Sequence, residues 1–558
     1  MSSIVEAKKE QVHVQIKNAL EQARANGQLA FEEIPAFTVE TPREKAFGDF
    51  ATNIAMLLSK QAKMPPRKIA EILAANLGEA GALFEKVEIA GPGFINFYLD
   101  KSWIYEVMPQ VLREGDSFGH SAFGQGKKVQ IEFVSANPTG LLHMGNARGA
   151  ALGDTLCNVM KAAGYDVQKE FYINDAGNQI ENFGKSLEAR YFQLLGQKVE
   201  FPEEGYHGQD IVDTVKKIIA EVGDQYLTVD SALRREFLIQ KALTEKLNNI
   251  KKDLADFGVE YDVWFSEQTL HDSGAITKTI AELQEKGYIY EKEGALWLKT
   301  TEFGDEKDEV LVRSNGVPTY FAADIAYHRN KFERGFEKVI NIWGADHHGH
   351  VARMKGAMQA LGHVPEALDV ILMQLVRLFR NGEIVRMSKR SGQYITLSEL
   401  VDEVGKDAAR FFFVMRSADS QMDFDLDLAK AESSENPVYY VQYAHARVCS
   451  ILKASIAELP DYTQVDFSLL KEETEIDLLR KIADLPAEII GAAANYEPHR
   501  LTYYAHDLAS LFHSFYNSCR VLIDDVELRK ARLLLIEATR ITLRNVLQLL
   551  GVSAPDRM

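Results

Sequence analysis

Residues Val129–Val134 make a short apolar run, Met144–Ala163 carry a helical pattern stopped by Gly164, and Tyr165–Tyr172 read as a second strand. A strand, a helix and a strand at this spacing need a crossover connection, which sets both strands parallel in one sheet beneath the helix. Two further runs, Lys338–Trp343 and Val370–Phe379, read as strands around the helical run His350–Leu361, which Gly362 ends. The expected core is therefore α/β, a doubly wound, Rossmann-like parallel sheet. In such a sheet, ligands sit at the carboxyl ends of the strands, beside helix N-termini.

The rest of the chain divides around that sheet. Residues 1–113 alternate helical patterns with two runs, Lys86–Ile89 and Phe94–Tyr98, joined by Gly91-Pro92-Gly93; this predicts a hairpin in a small α+β domain. The Gly- and Ser-rich stretch Gly115–Gly126 reads as a linker. The sheet-bearing unit spans 127–390 and is interrupted, over about 181–292, by a charged helical insertion in which Ile211, Val215, Ile218 and Val222 recur at helical spacing. Beyond Lys389 the pattern is almost wholly helical, with a connector over 391–435 and an all-α bundle over 436–558.

Composition narrows the class. A chain of 558 residues predicts three or four domains of roughly 100–200 residues each. Three widely spaced cysteines, Cys157, Cys449 and Cys519, argue against a disulfide scaffold and for a reducing, cytoplasmic setting. No apolar run reaches membrane-spanning length, and the polar start predicts no signal peptide. The net charge of −18 confines any surface for nucleic acid to a local patch, because surface charges are screened over about 8 Å at physiological salt.

Two segments carry chemistry. In Asn137-Pro-Thr-Gly-Leu-Leu-His143-Met-Gly-Asn146, a histidine and an asparagine three residues apart open the helix after the first strand. They share one helical face, where an imidazole donor and an amide donor can meet a phosphate already drawn to the helix N-terminus. Gly140, Gly145 and Gly149 leave room for a backbone to approach a ligand or a neighbouring strand. The second segment, Arg386-Met387-Ser388-Lys389-Arg390, follows the turn signal Asn381-Gly382 and supplies cations for a departing pyrophosphate.

His143-Met-Gly-Asn146 and Arg386-Met-Ser-Lys389 resemble the paired HIGH and KMSKS signatures of class I aminoacyl-tRNA synthetases. Longer strings narrow the resemblance to the arginyl-tRNA synthetase family: Glu132-Phe-Val-Ser-Ala-Asn-Pro-Thr-Gly140, Tyr172-Ile-Asn-Asp-Ala-Gly-Asn-Gln-Ile180, Gly344-Ala-Asp-His-His-Gly-His350 and Asn436-Pro-Val-Tyr-Tyr-Val-Gln-Tyr-Ala-His-Ala-Arg447. The similarity extends over nearly the whole chain. Asn146 stands where HIGH has its second histidine, and Arg386 where KMSKS has its first lysine. The first keeps a neutral donor and the second keeps a cation of different shape.

The resemblance implies ATP-dependent attachment of L-arginine to tRNA(Arg) through an arginyl-adenylate, with Mg2+ arriving on the ATP. It makes His143, Asn146 and Lys389 catalytic. It places Gly140, His143, Gly145, Asn146, His347, His350, Arg386, Met387, Ser388 and Lys389 on ATP. Asn137, Glu267, Tyr320, Asp324, Tyr327 and Asp346 fall to arginine. Acids suit that substrate, because a guanidinium pairs best with carboxylates held in a planar fork. Tyr439, Tyr443, His445 and Arg447 are the expected tRNA contacts of the final bundle, the N-terminal domain reaches the tRNA elbow, and tRNA is expected to bind before activation proceeds efficiently. The run Asp346–His350 is contiguous and has no matching Cys or distant His pair, so no metal centre is expected there. A monomer without protein partner or membrane is expected. Three alternatives differ by feature: a small-molecule nucleotidylyltransferase would not need the helical tail; another class I synthetase should lack the acids at Glu267 and Asp324; a non-catalytic tRNA binder should have lost His143 or Lys389.

Overall fold

The computed structural model describes residues 4–42, 44–77, 83–385, 395–455 and 459–558. The N-terminal unit comprises α1 (Ile4–Ala25), β1 (Phe50–Thr52), α2 (Ile54–Ala62), α3 (Pro66–Asn76), β2 (Phe84–Ala90) and β3 (Phe94–Leu99). β2 and β3 form the expected antiparallel hairpin, and β1 pairs with the other edge of β3. Val12, Ile16, Ala19 and Ala23 of α1, three or four residues apart, are buried together.

Two short helices, α4 (Ser102–Tyr105) and α5 (Val107–Glu114), lead into Gly115–Gly126. This stretch is not a loose linker. Asn545 Nδ2 donates to Gly115 O at 2.9 Å and to Phe118 O at 3.1 Å, Asp116 pairs with Arg544, and Phe118 is buried. A Cβ on Gly119 would lie 2.9 Å from Ile489, and its φ is 100°, so here glycine serves close packing as well as a positive φ.

The central unit begins with β4 (Lys128–Glu132), α6 (Met144–Ala162) and β5 (Asp166–Ile173). The insertion is α7 (Asn178–Leu194), α8 (Gln209–Val222) and α9 (Ser231–Asp256), packed on its own core of Phe183, Leu187, Tyr191, Ile211, Val215 and Leu238. It closes earlier than its charged composition suggests. β6 (Val263–Ser266) returns to the parallel sheet beside β5, followed by α10 (Gln268–Asp272) and α11 (Ala275–Glu285). A small antiparallel sheet of β7 (Ile289–Lys292), β8 (Ala295–Leu298) and β9 (Glu309–Val312) precedes α12 (Tyr320–Glu333), β10 (Lys338–Gly344), α13 (His348–Leu361) and β11 (Leu368–Met373).

The parallel sheet runs β11-β10-β4-β5-β6. Strand order reverses between β4 and β10, so the crevice at their carboxyl ends is the topological switch point. Val370–Phe379 is not one strand: β12 (Val376–Arg380) belongs to a separate sheet with β13 (Glu383–Ile384) and β14 (Met422–Asp425). Arg148 of α6 fixes the corner between them. Fully buried, it donates to Gln374 O at 2.7 Å, Ser417 O at 2.9 Å and Ser420 O at 3.1 Å, and burial lowers its pKa to about 10. Asn381 and Gly382, at φ 52° and 75°, make the expected two-residue hairpin turn.

The connector consists of α14 (Leu397–Val404), α15 (Lys406–Val414), β14 and α16 (Leu426–Lys430). β14 interrupts the expected helical tail and pairs in parallel with β12, which ties the connector to the central unit. The bundle is α17 (Pro437–Ala454), α18 (Glu473–Asn495), α19 (His499–Ser518) and α20 (Val526–Leu550). Among the described residues, no helix is long and apolar enough to cross a membrane.

One buried node joins these parts. Arg410 of α15 donates to Asp154 of α6 at 2.6 Å, to Leu550 O at 3.0 Å and to Phe257 O at 3.2 Å, while Lys169 of β5 pairs with the same aspartate. Removing one partner strands a buried charge, at a cost of about 3 kcal/mol. Arg410→Met is therefore expected to lower the thermal unfolding midpoint by several degrees in calorimetry; an unchanged midpoint would show that the node carries no cohesion.

Candidate active site

The first residues of α6 cap their own helix. His143 Nδ1 accepts the Gly145 N–H at 3.1 Å, and Asn146 Oδ1 accepts the His143 N–H at 3.0 Å. With Nδ1 accepting, the neutral imidazole carries its proton on Nε2, and the engaged oxygen of Asn146 leaves its amide nitrogen as the donor end. Capping thus aims donors at a helix N-terminus whose dipole and backbone N–H groups already favour an anion. A Cβ on Gly145 would sit 3.0 Å from the His143 ring, so glycine keeps the ring in place; one on Gly140 would meet nothing within 4 Å, and one on Gly149 only Met373 at 3.5 Å.

The strand leading to this helix ends under strain. Val134 and Ser135 have φ of 70° and 40°. Such conformations cost non-glycine residues about 1–3 kcal/mol each and cluster where function holds them. Asn137 follows, exposed, before buried Pro138 and Thr139.

Arg386, Met387, Ser388 and Lys389 lie outside the described residues. Their flanks do not. Val385 N–H donates to Leu378 O at 2.8 Å, Met144 N–H to Ile395 O at 3.3 Å, and Leu397 N–H to Leu142 O at 2.9 Å; a bridge pairs His143 with Thr396. The segment bearing the basic motif therefore leaves from β13 and rejoins the described chain against the start of α6.

An acidic cup forms at the neighbouring strand ends. Glu267 follows β6 and is only 4% exposed, unlike the usual surface acid. The Tyr172 hydroxyl bonds it, and His271 Nε2 lies 3.6 Å away. Burial pushes the Glu267 carboxyl above its ordinary range, and the nearby Asp324 adds to this. Asp324, on α12, pairs with His350 Nε2 at 3.1 Å, and Tyr320 stands half exposed at the start of that helix. Two carboxylates and a tyrosine hydroxyl in one partly buried cup suit a planar cation with several donors.

Several expected contacts fall elsewhere. His350, assigned to ATP, sits on Asp324 between Phe321 and Trp343, with ring centroids 5.6 and 5.4 Å away; it belongs to the acidic cup. Tyr327, assigned to arginine, is buried, donates its hydroxyl to Glu170 at 2.6 Å and packs 4.4 Å beneath Tyr172, so it supports the cup from behind. Asp346 and His347, both exposed, pair with each other at 3.8 Å at the end of β10. Tyr172, Ser135 and Glu132 lie in the strings quoted above but receive no role there, although each stands at or just beyond the carboxyl end of a central strand.

On α17, Tyr439 and Tyr443 stack at 6.1 Å with planes 8° apart, and Arg447 lies 4.6 Å over Tyr443 and 5.0 Å over Tyr516. His445 does not join this face. It is buried, and its Nδ1 meets Pro555 O at 2.9 Å, fixing the chain's last residues. Arg532, Arg540 and Arg544 likewise hold the fold, paired with Glu475, Glu537 and Asp116.

Three known sequence families match this chain. "Arginyl tRNA synthetase N terminal domain" covers residues 10–99, "tRNA synthetases class I (R), catalytic domain" covers 107–423, and "DALR anticodon binding domain" covers 441–558. The arginine–tRNA ligase of Moorella thermoacetica is 63% identical over 559 residues, covering 100% of both chains, and that of Heliobacterium modesticaldum is 62% identical over 563 residues with the same coverage. The Thermus thermophilus arginyl-tRNA synthetase structure superposes with a TM-score of 0.74 at 23% identity, over 99% of this chain and 100% of that one, a likeness of fold.

Proposed function

We propose, from the premise that this chain belongs to the arginyl-tRNA synthetase family, a division of labour within the switch-point crevice. The chain is an arginine–tRNA ligase of class I and serves protein synthesis with ATP. In the first step a carboxylate oxygen of arginine attacks the α-phosphorus, the bond to the β-phosphate breaks, and pyrophosphate leaves. A hydroxyl of the terminal ribose of tRNA(Arg) then attacks the arginyl carbonyl, and AMP leaves.

His143 Nε2 and the Asn146 amide donate to the triphosphate, where donors aimed in advance at developing charge contribute about 3–4 kcal/mol each. Lys389 and Arg386 receive the departing pyrophosphate; the bonds of Ile395 and Leu397 to Met144 and Leu142 support that placement. Glu267 and Asp324 hold the guanidinium, Tyr320 covers it, and Asn137 meets the amino acid's polar end. The groups at the start of α6 are donors, which fit phosphate oxygens and leave Mg2+ to the phosphates themselves, where it neutralises charge. Tyr439, Tyr443 and Arg447 offer stacked rings and a cation to unpaired bases. The reading includes a cytoplasmic monomer, a setting that three free thiols suit.

The observation that carries this reading is the pairing of a donor-capped helix with an acidic cup at one sheet edge. Its test is aminoacylation of a mixed tRNA pool with labelled arginine. Label should appear on tRNA(Arg), dependent on ATP; absence of label would refute it. Another class I specificity fits less well, because Glu267 and Asp324 would face a substrate without a side-chain cation.

A pH dependence follows from Glu267. Its folded-state pKa is raised, so the empty site favours the neutral acid and loses stability as pH rises through that value. A bound guanidinium favours the carboxylate. Arginine affinity is therefore expected to fall, on acidification, at a pH above the ordinary glutamate range. Calorimetric titration across pH measures this, and Glu267→Gln should remove that component; an identical profile in the variant would contradict the assignment.

A further inference from the structure

α12 meets the sheet through charged groups. Tyr327, His328, Lys331 and Arg334 follow Asp324 at steps of three, four, seven and ten residues, which puts them on one helical face. Opposite them, three adjacent strands carry a row of buried polar residues in direct register: Asn341 of β10, Glu132 of β4 and Glu170 of β5. Lys331 Nζ, with no exposed surface, donates to Glu132 Oε2 at 2.6 Å and to Asn341 Oδ1 at 2.9 Å. Asn341 Nδ2 meets His328 Nε2 at 2.6 Å, and the far side of that ring meets Asp324 O at 2.8 Å. Arg334 grips Glu170 through two bonds of 2.6 and 2.9 Å.

The seam also reaches the strained turn. Glu132 Oε1 accepts the Ser135 hydroxyl at 2.8 Å, and Ser135 Oγ accepts the Tyr172 N–H at 3.1 Å. The two ends of the acidic cup, Asp324 on α12 and Tyr172 beside Glu267, are thus joined through one continuous set of buried and half-buried polar contacts.

Buried ion pairs seldom add net stability over apolar residues of the same volume, but they punish any other register. Apolar side chains would let α12 settle at neighbouring positions, whereas a slip of one turn, about 5.4 Å, would leave Lys331 and Glu132 unpaired. We propose that Lys331, Glu132 and Asn341 are positioning residues for amino-acid selection: they fix the axial register of α12, so that Tyr320 and Asp324 stand opposite Glu267. This rests on the reading of the cup as the arginine site.

The test is the double variant Glu132→Gln/Lys331→Met of the full chain. It removes the charge pair while the glutamine oxygen can still accept the Ser135 hydroxyl. The thermal midpoint should move by only a few degrees. The KM for arginine should rise about tenfold, with the KM for ATP and kcat within about twofold, the signature of lost ground-state binding at one subsite. Discrimination of arginine against canavanine and lysine should fall. An unchanged arginine KM in the folded variant would overturn the proposal, as would a joint loss in both substrates with a lowered midpoint, which marks a general structural role. Should the double variant fail to fold, Asn341→Ala gives the same reading through a smaller, arginine-selective rise in KM, and no rise there overturns it too. A wild-type enzyme that does not charge arginine at all would instead refute the proposed function.

Discussion

His143→Ala is expected to slow arginyl-adenylate formation by about 10²–10³-fold, the effect of losing one preorganised donor at developing phosphate charge. Two roles converge on this side chain, because it also accepts the Gly145 N–H as the helix cap. Loss of a cap costs about 1 kcal/mol of stability, too little to account for such a rate effect through unfolding. His143→Asp separates the two roles: it restores a strong cap and supplies no donor. Its thermal midpoint should recover while its rate stays low. Recovery of the rate would show that His143 matters only as a cap.

Asp324→Asn should raise the arginine requirement roughly 30- to 1,000-fold, since a bound guanidinium covers the side chain, 37% exposed in the empty site, and truncating one partner of a charge pair so enclosed costs about 2–4 kcal/mol. The substitution keeps the shape of the side chain and an oxygen for His350, so the change isolates charge. ATP affinity should hold, because the donors for phosphate stand on α6. Steady-state kinetics with arginine varied at saturating ATP and tRNA measures the effect. An unchanged KM would remove Asp324 from the cup and return it to the helix surface.

Some of this could be read in the sequence and some could not, for identifiable reasons. The parallel core followed from period: Val129–Val134, the helix ending at Gly164 and the strand after it lie where crossover geometry requires them. The N-terminal hairpin and the Asn381-Gly382 turn followed from turn chemistry. What escaped were features that break the rule used to find them. Gly115–Gly126 has linker composition but packs on α18 and α20, because glycine serves close approach as well as freedom. Val370–Phe379 is apolar apart from Gln374 and Arg377, and neither marks the corner that Arg148 makes at Gln374.

The polar seam escaped for a similar reason. Hydrophobic periodicity finds buried faces that are apolar, and the buried face of α12 includes Lys331 and His328. Within the candidate site, the histidine and glycine motif at α6 could be read locally. The company His350 and Tyr327 keep could not, since it depends on how α12, β5 and α13 meet. His445 shows the same limit: neighbours on α17 present rings outward while it turns inward to the last residues of the chain.

The proposed function requires one crevice that joins a phosphate-binding helix start to a cup that selects a guanidinium. ATP–pyrophosphate exchange, run with each amino acid in turn and with and without tRNA(Arg), tests this most directly. Arginine should support exchange strongly in the presence of tRNA(Arg), and glutamate, cysteine and lysine should not. Exchange driven equally by one of those amino acids, or no exchange with arginine under any condition, would contradict it.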